Sequence, residues 1–170
     1  PPNMSVPNPD YMAGLYASTL IKDGGTLQIG IGSLGDAIVY ACQLRHQHNE
    51  DYQALVNGIN VDKDIVEETG GKDVFEKGLY GSSEMFVNGF MHLIKTGIVK
   101  RRVYDDLDIQ RLLNEEKITE SVNPNLIQCL LDEAVIGHLL SHSDFIYLQR
   151  WGIFKEEISW SDDGILVGEK

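Results

Sequence analysis

With 170 residues, 42% of them apolar and 24% charged, the chain has the composition of a soluble globular protein long enough to bury a sizeable core. Its formal charge of −12 argues against a nucleic-acid partner, because phosphate binding needs a field of the opposite sign. No apolar run approaches the roughly 18 residues of a membrane span, and PPNMSVPNPD lacks the segments of a signal peptide, so no membrane partner and a cytoplasmic location are expected.

In chain order, Asn8-Pro9-Asp10 opens a helix that places Tyr11, Leu15, Tyr16, Thr19 and Leu20 at helical spacing. Lys22-Asp23-Gly24-Gly25 ends it, and Thr26 to Ile31 has the character of a short buried strand. Gly30, Gly32 and Gly35 follow at G-x-G-x-x-G spacing, and Ala37, Ile38, Ala41, Cys42 and Leu44 then form an apolar helical stripe. Residues 45 to 78 read as a polar insertion with one helix near Val61 to Glu68.

Pattern returns at Leu79. The segment GLYGSSE leads into a helix bearing Met85, Phe86, Phe90, Leu93 and Ile94 and ending at Lys95 and Gly97, with Glu84 at its start and Ser82 or Ser83 as cap. There the helix dipole would favour the ionised carboxylate. Ile98 to Tyr104 is expected to be a strand carrying Lys100-Arg101-Arg102, a basic island that reads as a solvated strand face ahead of a phosphate contact. From Asp105 the chain turns helical. Asn123-Pro124 caps a helix whose buried face runs from Leu126 to Leu139, a further helix spans Asp144 to Trp151, and Ile158 to Val167 resembles a hairpin around Ser161-Asp162-Asp163-Gly164. No internal repeat stands out. The domain organisation expected is therefore 1–104, an α/β domain with its insertion at 45–78, and 105–170, a mainly helical appendage.

A glycine turn of this spacing suits a dinucleotide when an acid-tipped second strand follows about 20 residues later. Glu50 and Asp51 have that distance, but RHQHNEDYQ around them holds no apolar run fit for a buried parallel strand. The turn otherwise serves tight packing, or a ligand approached closely by backbone amides. His138 and His142 lie four apart on one expected helix face, without the glutamate of a zinc protease motif, and read as ordinary histidines; His46 and His48 are assigned no role, and no metal is expected. Cys42 and Cys129 sit in apolar helical settings and are expected to remain unpaired thiols.

Taken together, IKDGGTLQIGIGSLGDAI and GSSEMFVNGFMHLIKTGIVKRR resemble the acetyl-CoA hydrolase/transferase family, which includes the 4-hydroxybutyrate, butyrate and succinate:acetate CoA-transferases. The resemblance covers roughly residues 8 to 44 and 79 to 104. Two motifs in the family's order are far more specific than either alone. The longer 45–78 link and the helices of 105–152 depart from the common core, and later glycine-rich segments of the family's catalytic domain are absent. The chain, which begins PPNMS and stops at ILVGEK, is thus expected to be part of a longer protein, holding about the first half of a catalytic domain.

The resemblance implies an α/β three-layer, CoA-transferase-like parallel-sheet domain, present in part, with a helical appendage. It implies that Glu84 is the nucleophile that receives the acyl group and then CoA, and that backbone amides of Gly30, Ile31 and Gly32 hold the thioester oxyanion. Any Cβ at Gly30 or Gly32 would then intrude where backbone meets thioester. Coenzyme A is a substrate and no cofactor is implied; the partners are acyl-CoA, a short-chain carboxylic acid and, for assembly, a second copy in a homodimer. The segment alone is expected to be inactive. Two other classes stay open at this point: a non-catalytic CoA- or nucleotide-binding or assembly domain, which would tolerate loss of Glu84, and a nicotinamide oxidoreductase.

Overall fold

The computed structural model of the chain describes residues 5–161 and 164–167. Its elements run α1 (Asn8–Thr19), β1 (Thr26–Gln28), α2 (Ser33–Gln47), α3 (Asn49–Asn57), α4 (Lys63–Thr69), β2 (Tyr80–Ser82), α5 (Asn88–Lys95), α6 (Leu107–Asn114), α7 (Pro124–Asp132), α8 (His142–Arg150), β3 (Ile158–Ser161) and β4 (Gly164–Val167). The architecture is mixed α/β with two small sheets, and the chain divides into two compact units, Pro1–Val103 and Tyr104–Lys170. No helix among the described residues is long and apolar enough to cross a membrane.

In the first unit β1 and β2 pair in parallel, Thr26 opposite Tyr80 and Gln28 opposite Ser82. Sequence sets this register through Asp23, whose two carboxylate oxygens each accept a backbone amide, from Lys77 and Gly78, at 2.8 Å. The amide of Gly24 donates in turn to the Gly78 carbonyl. Asp23 thus clamps the entry to β1 against the entry to β2. The expected third strand from Ile98 is reduced to one parallel bridge between Leu79 and Val99. The amides of Lys100 and Arg101 both converge on the Leu79 carbonyl, which ends the ladder before the basic island.

One face of the strand pair is covered. Leu27, Ile29 and Leu79 join Val39 and Cys42 of α2, Phe90 and Leu93 of α5, and Phe75 and Ile98 in one apolar cluster, each large side chain contributing on the order of 1.5–3 kcal/mol by burial. Burial pushes the Cys42 thiol up to about 12, against a smaller opposing effect of the Arg45 charge. Cys42 and Cys129 are both free thiols. The other face, Thr26, Gln28, Tyr80 and Ser82, is exposed, whereas parallel strands are ordinarily covered on both sides.

Residues 45–78, polar in composition, are built into this unit. They form two helices where the sequence pattern gives one, because only Tyr52 and Val56 of α3 are buried and their signal is short. Arg45, 1% exposed and without an ion-pair partner among the described residues, is satisfied by carbonyls. Its Nη1 donates to Ser18 and Ile21 at the end of α1, its Nε to Asp73, and its guanidinium lies 4.3 Å over the Phe75 ring. Cations are favoured at helix C-termini, which explains why this one is tolerated inside.

The second unit is built of helices that begin on side-chain caps: Asp106, Asn123 and Ser141 accept first-turn amides, with a full capping box between Ser141 and Asp144. Accepting the Ser141 amide and hydroxyl holds the Asp144 carboxyl below its usual range. Ile109, Leu112, Ile118, Leu126, Leu130, Ile136 and Leu148 make its core. α7 stops at Asp132, short of the expected Leu139, because Ala134 takes a left-handed conformation (φ 55°) and the chain doubles back; Leu139 is 92% exposed. The strands of the expected hairpin pair antiparallel, Ile158 with Val167 and Ser161 with Gly164, while its turn residues Asp162 and Asp163 lie outside the described residues.

The helices of the second unit end on a shared C-cap motif. Leu112, Leu130 and Leu148, evenly spaced and fully buried, each offer one carbonyl to two amides: Lys117 and Ile118, Val135 and Ile136, Ile153 and Phe154. Between carbonyl and amides sits a left-handed residue, Glu116, Ala134 or Gly152. α5 of the first unit ends the same way at Leu93, Gly97, Ile98 and Val99.

Candidate functional site

The two stretches singled out by sequence leave the same edge of the parallel pair. β1 ends at Gln28 and runs into Gly30-Ile31-Gly32; β2 ends at Ser82 and runs into Ser83-Glu84. The C-terminal edge of parallel strands is where α/β proteins bind ligands, since the loops there are free of the ladder and the following helices point their N-termini at it. Ser83 joins the two loops: its hydroxyl reaches the Ile29 carbonyl at 3.4 Å and donates to the Met85 carbonyl at 2.6 Å. Glu84 and Gly30 each follow directly on one end of the Ser83–Ile29 contact.

Glu84 stands differently from the sequence expectation. α5 begins at Asn88 with Val87 as an N-cap that offers no side-chain bond, so Glu84 lies in the loop ahead of the helix and outside its first turn. Ser82 and Ser83 do not cap it, and Met85 and Phe86, expected on its apolar face, are exposed. The reason lies in β2, which keeps the chain extended through Ser82, and in the Ser83–Met85 bond, which closes a small turn around Glu84. The carboxylate is exposed and has no hydrogen-bond or ion-pair partner among the described residues.

The glycine turn presents a row of donors. Gly30, Ile31 and Gly32 are exposed residues, and their amides donate to no acceptor among the described residues. Gly32 is the N-cap of α2 with φ 134°, a conformation that side chains rarely adopt. A Cβ added at Gly30 or Gly32 would meet open space, so what demands glycine at 32 in this chain is backbone conformation, and steric room at 30 is not limiting. Gly35 is the position of close approach, where a Cβ would lie 2.6 Å from the Gly30 carbonyl oxygen. First turn of helix and glycine turn therefore form one packed body.

The remaining candidates separate. Lys100-Arg101-Arg102 follows the Leu79–Val99 bridge and is not a strand. His138 precedes α8 and His142 begins it, so they do not share a helix face, and no cluster of three or more His, Cys, Asp or Glu among the described residues is arranged for a metal. His46, given no role by sequence, accepts the Phe75 amide through Nδ1 at 3.3 Å. Sequence reasoning also missed Asp10, whose carboxylate accepts the Ser33 hydroxyl at 2.5 Å beside the glycine turn. An Asp in one helix start and a Ser in the next carry no periodic signal, and only the packing of α1 on α2 brings them together.

Scans of the chain against protein-family models, curated proteins and solved structures return no match.

Proposed function

We propose that the chain supplies the nucleophile and the oxyanion turn of an acyl-CoA hydrolase or CoA-transferase acting on short-chain carboxylic acids. The observation that carries this reading is the Ser83–Ile29 contact, which joins the loop of Glu84 to the loop of three unengaged amides at one strand edge. The two motifs of the resemblance, far apart in sequence, meet there.

On this reading the Glu84 carboxylate attacks the thioester carbonyl, a C–O bond forms, and the C–S bond breaks to release CoA thiolate and leave an acyl-glutamyl anhydride. The thiolate then attacks the glutamyl carbonyl, expelling the first acid as its carboxylate and leaving a glutamyl-CoA thioester. An acceptor carboxylate reverses the steps; water in its place gives hydrolysis. A carboxylate is a weak nucleophile, so position and charge stabilisation must supply the acceleration, and one preorganised amide donor at an oxyanion is worth about 3 kcal/mol. On this reading the amides of Gly30, Ile31 and Gly32 supply such donors. The open face of the strand pair fits a three-layer fold whose second helical layer lies on Thr26, Gln28, Tyr80 and Ser82.

One observation favours a second reading. Glu84 follows the tip of the strand beside β1, and Gly35 makes the close helix approach seen in dinucleotide turns, which are features of a nicotinamide site. Against it, the start of α2, where a pyrophosphate would sit, already holds two carboxylates, Asp36 in its first turn and Asp10 on Ser33. Glu84 also lies much further from the turn than the usual 20 residues or so.

The test is Glu84→Ala in the longest natural chain that contains this sequence. Exchange of acyl groups between acyl-CoA and carboxylic acids should fall by roughly 10⁴-fold or more, with the melting temperature unchanged because the side chain is exposed and unpaired. Retained exchange would refute the assignment, and saturable binding of a reduced nicotinamide cofactor in place of CoA would favour the second reading.

A further inference from the structure

We infer that Asp10 and Ser33 are positioning residues that latch the glycine turn in its donor conformation; this rests on the acyl-CoA reading above. Ser33 is the first residue of α2 and directly follows Gly32. A side-chain cap comes from the N-cap residue, which accepts a first-turn amide. Here Gly32 is the N-cap, α2 has no side-chain cap, and the Ser33 hydroxyl donates outward to Asp10 Oδ2 at 2.5 Å. Glycine at the N-cap has no side chain to accept from the first turn, so the amides at the start of α2 are without a side-chain acceptor on the edge that carries Glu84.

The turn needs such a restraint. On its inner side Gly35 abuts the Gly30 carbonyl. Around the Cβ positions of Gly30 and Gly32 no described residue other than their chain neighbours comes within 4 Å, so no packed side chain among them braces the turn there. Glycine at φ 134° has wide freedom of its own. The Asp10–Ser33 bond ties this stretch to α1, which is itself fixed on α2 where Gly14 meets the Ala37 backbone. Neither residue need touch substrate; both act through the orientation of the Gly30, Ile31 and Gly32 amides.

The experiment has two arms. In the 170-residue chain, Ser33→Ala and Asp10→Ala should move the amide resonances of Gly30 and Gly32 and speed their hydrogen exchange. Ser33→Thr, which keeps the hydroxyl, should restore the wild-type spectrum. In the longest natural chain, Ser33→Ala should lower kcat by about 10- to 100-fold, the scale of a small misplacement of reacting groups, with KM for acyl-CoA within a factor of two and recovery in Ser33→Thr. Unchanged Gly30 and Gly32 amides in both alanine variants would overturn the latch whatever the activity. Shifted amides with an unchanged kcat would overturn its role in positioning. If the wild-type protein transfers no acyl group, the acyl-CoA reading fails and with it that role, while the amide arm still decides whether the latch exists.

Discussion

His46 accepts the Phe75 amide proton through Nδ1, which requires a neutral ring with its own proton on Nε2. Burial first, and then the Lys100 charge, lower its pKa below the ordinary 6.5, with Asp23 opposing. The unfolded chain therefore binds this proton more readily than the folded one. The stability His46 contributes is complete above pH ~6.5 and is lost as pH falls through the lower, folded value. We expect an imidazole titration of the folded chain to give His46 a midpoint below 6.5, with the Phe75 amide shifting in step; a midpoint above that value would contradict the bond. Arg45 illustrates the opposite case, a buried cation whose pKa is lowered chiefly by burial and which three carbonyls keep satisfied. Both residues lie in a stretch whose composition suggests a solvent-facing insertion, although they form the last turn of α2, and their partners Ile21, Asp73 and Phe75 lie in loops with no periodic signature.

Among the elements, α6, α7 and α8, which end just beyond Leu112, Leu130 and Leu148, use one device in three chemical versions. The left-handed position is Glu116, Ala134 or Gly152, and only the last pays no Cβ penalty. Ala134→Gly should stabilise the second unit by about 1 kcal/mol, raising its melting temperature by roughly 4–8 °C. Destabilisation would mean that Ala134 is held by packing that outweighs its backbone strain. The sequence carried legible start signals here: Asn123-Pro124 is the cap and N1 pair it reads as, and Gly97 ends α5 as expected. The stop at Ala134 was not legible, because nothing in Glu133-Ala134-Val135 breaks a helix by propensity. Its trace is the Leu followed five and six residues later by an apolar or paired residue, a pattern visible once the copies are set against each other. The start of α5 was misread for a related reason, since Met85 and Phe86 satisfy helical spacing but sit in the loop that Ser83 closes.

For the whole molecule, what the sequence conveys is the division of labour: a parallel strand pair with its loops in the first unit, and capped short helices in the second. The meeting of the loop that holds Glu84 with the loop of the glycine turn, through Ser83 and Ile29, follows from strand register, which Asp23 fixes through Lys77 and Gly78 and which no local pattern announces. The central claim is that this meeting makes a covalent centre. Its most direct measurement is peptide mass spectrometry of the longest natural chain after incubation with acyl-CoA and borohydride reduction, which converts an enzyme-bound glutamyl thioester to an alcohol. The account predicts a reduced residue at Glu84, absent without acyl-CoA and absent in Glu84→Ala. Reduction at another carboxylate, or at none while acyl transfer proceeds, would contradict it.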